Sequence, residues 1–206
     1  AMAPIMTDGL LIHLGGAFAQ HNPLDDKGVV DYNAEPETKI GDIEIVDTDN
    51  IFHVEKISQT GLEGALRLKS LSLQGEYMQT SLTREDGYSD VSLVGGYGFI
   101  SWFVTGETRP WVVNEGEFGQ ILPNNKKWGA FELLARFSHL NLSDEKALIY
   151  GGKANNITLG VNWYVNPNIR FYLNYAMVDN STNATGGGVP SDYDFSYVQF
   201  RTLVFF

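Results

Sequence analysis

Five basic residues, Arg67, Lys69, Arg136, Arg170 and Arg201, lie in stretches where apolar residues recur at every second position, each on the alternate register from the apolar one. In a strand, that placement turns the cation away from the greasy side. A row of such cations across neighbouring strands can replace the hydration shell that an anion gives up. Each also has a plainer role, pairing with a carboxylate such as Glu76 or Glu132 on the same register. Other chemistry finds little footing. The histidines at 13, 21, 53 and 139 have no i, i+4 ligand spacing, and DTDN at 47–50 lacks the glycine and distal glutamate of a calcium loop. GGYGF lacks the following helix that would cradle phosphate, so its glycines are expected to admit close packing within a strand. With no cysteine and no nucleophile set beside a base, no enzyme, metal site or cofactor is expected.

The elements that must carry these cations read as strands. NITLGVNWYV places Ile157, Leu159, Val161, Trp163 and Val165 on one face. After Asn166 and Pro167, NIRFYLNYAMVDN sets Ile169, Phe171, Leu173, Tyr175 and Met177 against Arg170, Tyr172 and Asn174, so the two form a hairpin. WGAFELLARFSHLN opposes Phe131, Leu133, Ala135 and Phe137 to Glu132, Leu134, Arg136 and Ser138. GLEGALRLK and SLSLQGEYMQTSLTR abut at Lys69 and Ser70 as a second tight hairpin. Its oily face holds Leu62, Leu66, Leu68, Leu71, Leu73 and Tyr77. VSLVGGYGFISWFV and GLLIHLGGAFAQ read as strands without a clear polar face, and the terminal YVQFRTLVFF alternates again. That makes about eight strands, each near or above the nine to eleven residues of a tilted bilayer crossing.

The connectors sort by length. Lys69–Ser70 and 165–168 are minimal, whereas 21–55, 143–155 and 180–193 are long and polar. If the C-terminus lies in the periplasm, the long connectors fall outside and the minimal turns inside, the habit of outer-membrane barrels. EDGYS, a short outer loop, and RPWVVNEGEFGQILPNNKK, a long inner connector, depart from it. Trp128, Trp163, Tyr164, Phe205 and Phe206 are expected near the inner strand ends as an interfacial girdle.

Composition narrows the class. The chain has 206 residues, net charge -11, 13% aromatic residues and 22 glycines, which favours many short strands over helical repeats. No apolar run approaches the length of a membrane-spanning helix, and AMAPIMTDG lacks a signal peptide's basic head and apolar middle. Residues 21–55 carry ten carboxylates against two lysines and account for most of the net charge. They are expected to form a solvated acidic loop, with folding into a pore or divalent-cation binding as the sharper reading.

The stretches SLQGEYMQTSLTR, SWFVTGETRPW, WGAFELLARFSHLNL and NNITLGVNWYVNPNIRFYLNYAMVD resemble the C-terminal half of the phosphate-selective porins of the O and P type, with residues 60–206 carrying the likeness. The resemblance implies an all-β, antiparallel up-and-down transmembrane β-barrel of which this chain supplies about eight of sixteen strands. It implies a homo-oligomer, a trimer in the family, in the bacterial outer membrane. It also implies passage of phosphate or other small anions through a lumen lined by basic residues, the place expected here for Arg67, Lys69, Arg136, Arg170 and Arg201. Phe206 would be the terminal aromatic signal read by the barrel-assembly machinery, and the partners would be outer-membrane lipid and small anions, with no nucleic acid.

Organisation is expected as one barrel or half-barrel domain over 1–206, with 21–55 as a long acidic outer loop and 56–206 as porin-like strands. Two other readings stay open. One is a soluble all-β carbohydrate module that stacks sugars on Tyr97, Trp102 and Trp111; the other is a small structural barrel closed on eight strands. The discriminating question is what covers the oily faces.

Overall fold

The computed structural model describes residues 1–24, 27–38, 44–85, 87–181 and 194–206. Asp25, Asp26, Lys39 and Asp42 of the acidic stretch, and 182–193 of the last long connector, lie outside them. The chain folds as strands β1 (Met2–Met6), β2 (Leu10–His21), β3 (Asn33–Ala34), β4 (Val46–Asp47), β5 (Val54–Leu68), β6 (Leu71–Arg84) and β7 (Val91–Phe103). It continues with β8 (Trp111–Val112), β9 (Glu117–Phe118), β10 (Ala130–Asp144), β11 (Ile149–Asn166), β12 (Ile169–Ser181) and β13 (Phe195–Val204). One 3-10 turn, Glu145–Ala147, interrupts this all-β order among the described residues.

Nine strands make one antiparallel sheet in the order β1-β2-β5-β6-β7-β10-β11-β12-β13, each beside its sequence neighbour in that sheet. This is the wall of an up-and-down barrel, open between β1 and β13. The eight expected strands are all present, and short β1 is the addition. MAPIM offers too few residues to display alternation, so its pairing with β2 had no legible signal.

The sheet is inside out relative to a soluble protein. Leu159, Val161 and Leu173 are 48%, 43% and 50% exposed, while Glu132 on the opposite face is fully buried. The exposed register continues through Leu62, Leu66 and Leu73 on β5 and β6, Ile100 on β7, Leu133 on β10 and Phe200 on β13. Soluble monomers rarely leave contiguous apolar patches above about 300–600 Å² uncovered. No second sheet covers this face among the described residues. Cross-strand aromatic contacts mark one margin of the band: Phe131 with Trp163 at 5.7 Å, Trp163 with Phe171 at 5.6 Å, and Phe171 with Phe200 at 6.0 Å. Trp163 also donates its indole N–H to the Trp128 carbonyl at 2.8 Å. Aromatic rings gathered at one edge of an apolar band form an interfacial girdle.

Tyr164 departs from the expectation. It sits on the other face, buried, because its register places it beside Ala130 and Arg170, opposite in sense to Trp163. Glycine rows bring strands together in the middle of the sheet: a Cβ on Gly96 would lie 2.8 Å from the Glu76 carbonyl oxygen, as expected of the GGYGF stretch.

The connector expected over 143–155 is largely strand. β10 runs to Asp144 and β11 begins at Ile149, with Leu148 in the left-handed region at φ 59° closing the tight turn. Beyond the lipid, both faces of an extended strand meet water or polar loops, so alternation fades while hydrogen bonding continues. β11, at 18 residues, overshoots a bilayer crossing in this way.

Candidate functional site on the interior face

Two connectors fold onto the polar face and divide it into two ends. At the end away from the minimal turns, Val30, Tyr32, Ala34, Ile45, Val46 and Ile51 pack with Ile57, Leu82, Leu142, Ala154 and Val178 of the wall. The short β3–β4 hairpin and an Asn180 side-chain N–H donated to the Ile45 carbonyl at 2.8 Å hold this segment. The described part of the acidic stretch is therefore packed against the wall, where a solvated loop was the plainer expectation. Its apolar residues, Ile45, Val46, Ile51 and Val54, scattered among the carboxylates, were the available signal. Outside the strands, burial and then Asp31 raise the Tyr32 phenol above its ordinary range. Desolvation, then Asp47, Asp31 and Glu35, raise the Glu44 carboxyl.

At the minimal-turn end, residues 104–129 fold inward around the β8–β9 hairpin. Ile121 packs beneath Phe103, Ala130 and Tyr164, and Trp111 meets His13 at 4.7 Å and Phe118 at 5.1 Å. Gly129, at φ 74°, lets the connector rejoin the wall, because a Cβ there would stand 2.1 Å from the Tyr164 carbonyl oxygen.

A buried polar network ties this connector down. Glu132 accepts from the Arg109 guanidinium on one oxygen, and on the other from the Asn162 amide at 2.9 Å and the Tyr164 hydroxyl at 2.7 Å. Arg109 is flanked by Phe103 and Phe118 at 5.2 and 5.9 Å. A buried carboxylate is tolerable only when its lone pairs are filled in this manner. Glu107, also buried, accepts from the Thr105 hydroxyl and from the Asn124 N–H at 3.1 Å. Sequence reasoning missed Arg109 because its connector has no strand periodicity; only the turn-forming Asn114–Gly116 hinted at a hairpin.

The five basic residues do not form a ring. Register places Arg170 in the row of Ala130 and Arg201 in the row of Glu132. Arg67 falls in the row of Leu134, and Arg136 lies two residues further along β10. The four arginines thus occupy successive interior rows as a stair. Lys69 stands apart, in the Lys69–Ser70 turn at φ 54°, not in a wall strand.

Their environments differ. Arg67 is 5% exposed and donates to the Arg109 carbonyl at 2.7 Å and the Thr7 carbonyl at 2.6 Å, so it fastens the inward connector. Arg170 lies over the rings of Tyr164 at 5.2 Å and Phe205 at 4.8 Å. Arg201 is exposed. Arg136 contacts Glu37 of the inward-packed acidic segment and lies 4.7 Å over the Tyr97 ring, whose hydroxyl donates to Glu76 at 2.5 Å. His13 meets Glu63 at 2.9 Å. Phe206 is fully exposed beyond β13.

The stacking trio Tyr97, Trp102 and Trp111 is not assembled. Trp102 is on the exposed apolar face, whereas Tyr97 lies under Arg136 and Trp111 beside His13 on the interior face. What the face presents among the described residues is a polar surface with stepped cations and fixed carboxylates. Such a surface can exchange an ion's hydration for fixed charge.

Comparison with known proteins agrees with this geometry. The family model described as phosphate-selective porin O and P matches residues 1–206. Porin O of Pseudomonas aeruginosa is 32% identical over 136 residues, covering 61% of this chain and 31% of that protein. A protein of Caulobacter vibrioides described as uncharacterized is 32% identical over 89 residues, 41% of this chain and 17% of its own length. The chain thus spans well under half the length of these relatives.

Proposed function

Because the chain belongs to the phosphate-selective porin O and P family and resides in the bacterial outer membrane, we propose that it forms part of the wall of a diffusion porin. Small ions move down their gradients along its interior face. One observation carries this reading: the apolar register is exposed across the whole sheet while charge and buried polar networks sit on the other face. Lipid tails are the medium that accepts the first and tolerates none of the second.

In this reading the chain acts as one unit over 1–206, with 21–55 an outer loop whose described part turns into the interior. The wall is incomplete between β1 and β13 and is finished by further strands. Arg170 and Arg201 offer stepped positive charge to anions, phosphate among them, with Arg136 further along and paired with Glu37, while Arg67 lines the wall beside the Lys69–Ser70 turn and Lys69 stands in it. The protein is a channel and not an enzyme. Its partners are outer-membrane lipid, copies of itself and the barrel-assembly machinery, for which Phe206 is the signal.

The test is conductance. The protein extracted from outer membranes and inserted into a planar bilayer should give discrete conductance steps, and a salt gradient should give a reversal potential on the anion side. A detergent-free soluble protein with no conductance would refute the reading.

A further inference from the structure

We propose that Glu37 is an ion-selectivity determinant: it masks Arg136, so that the stair of cations is interrupted at that step. The inference rests on the porin reading above. Arg136 is the arginine nearest mid-strand, the seventh of the 15 residues of β10, and its guanidinium is in contact with the Glu37 carboxylate.

Glu37 is delivered there by the fold. Its other carboxylate oxygen accepts from the Ser138 hydroxyl at 2.7 Å, across 101 residues of sequence. The next carbonyl, of Thr38, accepts from the Gln199 amide at 3.4 Å across 161 residues. Behind these contacts, Val30, Tyr32 and Ala34 pack into the apolar cluster with Leu142 and Val178. The acidic segment thus bridges β10 and β13 and sets one carboxylate against one wall cation.

The pair is partly open: the two side chains are 29% and 30% exposed. As a tether such a pair contributes little, because solvent screens it. To an ion passing the same surface the difference is larger, since a lone guanidinium presents a full charge and the pair presents only a dipole. One row away, Glu76 and Glu63 face each other in register on the same interior face. With Glu37 in place, Arg136 adds no net positive charge beside these carboxylates.

The experiment compares reversal potentials of the outer-membrane protein in a planar bilayer. Glu37→Gln keeps the size and the acceptor for Ser138 but removes the charge, and should raise the anion-to-cation permeability ratio severalfold. Arg136→Gln should lower it, and the double variant should return near the unsubstituted value. Glu35→Gln, exposed on the same segment, makes the same net charge change and should leave the ratio within error. A conducting protein whose ratio ignores Glu37→Gln, or responds equally to Glu35→Gln, overturns the inference and leaves the porin reading standing. Absence of conductance in the unsubstituted protein overturns both. Heat-modifiable gel migration establishes that each variant has folded, so a lost barrel is distinguished from a changed selectivity.

Discussion

Replacing Leu159 by arginine puts a charge where the account places hydrocarbon. Leu159 is central in the apolar register of β11, between Ile157 and Val161 along the strand and beside Ala135 and Tyr175 on its neighbours. It lies four residues from Trp163 of the girdle, so a guanidinium there starts well inside the band. An arginine near the bilayer midplane of an outer-membrane barrel costs about 2–4 kcal/mol, falling to about 0–1 near an interface. Leu71, beside the Lys69–Ser70 turn, is the matched interfacial site, and Leu71→Arg should cost no more than about 1 kcal/mol. Urea unfolding from lipid vesicles, followed by heat-modifiable migration and tryptophan emission, reads both. With a slope of about 2 kcal/mol per M, Leu159→Arg should lower the midpoint by about 1–2 M. If water covered this face, an exposed leucine could become arginine within about 0.5 kcal/mol. Equal midpoints for the unsubstituted protein and Leu159→Arg would refute the reasoning.

Three further outcomes are expected. Arg109→Ala strands the Glu132 carboxylate in a fully buried site and should destabilise by about 3–5 kcal/mol in the same unfolding assay, with Glu132→Gln added to it recovering part of the loss. Gly129→Ala meets both a left-handed backbone and the Tyr164 carbonyl, and should lower the yield of heat-modifiable protein, whereas Gly106→Ala, with open space around it at φ 90°, should cost only about 1 kcal/mol. Arg170→Glu or Arg136→Glu should move the reversal potential toward cations; an unchanged potential would remove that residue from the ion path.

Most of the wall was legible in the sequence because lipid on one side and polar loops on the other enforce alternation, and a one-residue slip would invert every side chain. Leu159, Val161 and Leu173 announced their face, and Arg136, Arg170 and Arg201 theirs. Alternation alone could not say whether the oily face was inside or outside, because a sandwich gives the same pattern; the exposure of those leucines decides it. The interior was less legible. Tyr164 looked like a girdle residue by its position near the strand end, yet its parity with Glu132 assigns it to the buried network. Arg109 and Glu37 come from connectors, where no period relates a residue to the wall it will touch. Their partners Glu132 and Arg136 lie 23 and 99 residues away along the chain, and only the folded register brings them together.

Lipid contact along one strand is the most direct measurement of all. The chain has no cysteine, so single cysteines at 157–162 can each carry a nitroxide, and oxygen and a water-soluble nickel complex can be compared as relaxants in vesicles. Labels at 157, 159 and 161 should respond to oxygen, with those at 158, 160 and 162 shielded from it and relaxed, if at all, by nickel. In-phase responses along the strand, or labels at 159 and 161 reached by neither agent, would contradict a lipid-covered face.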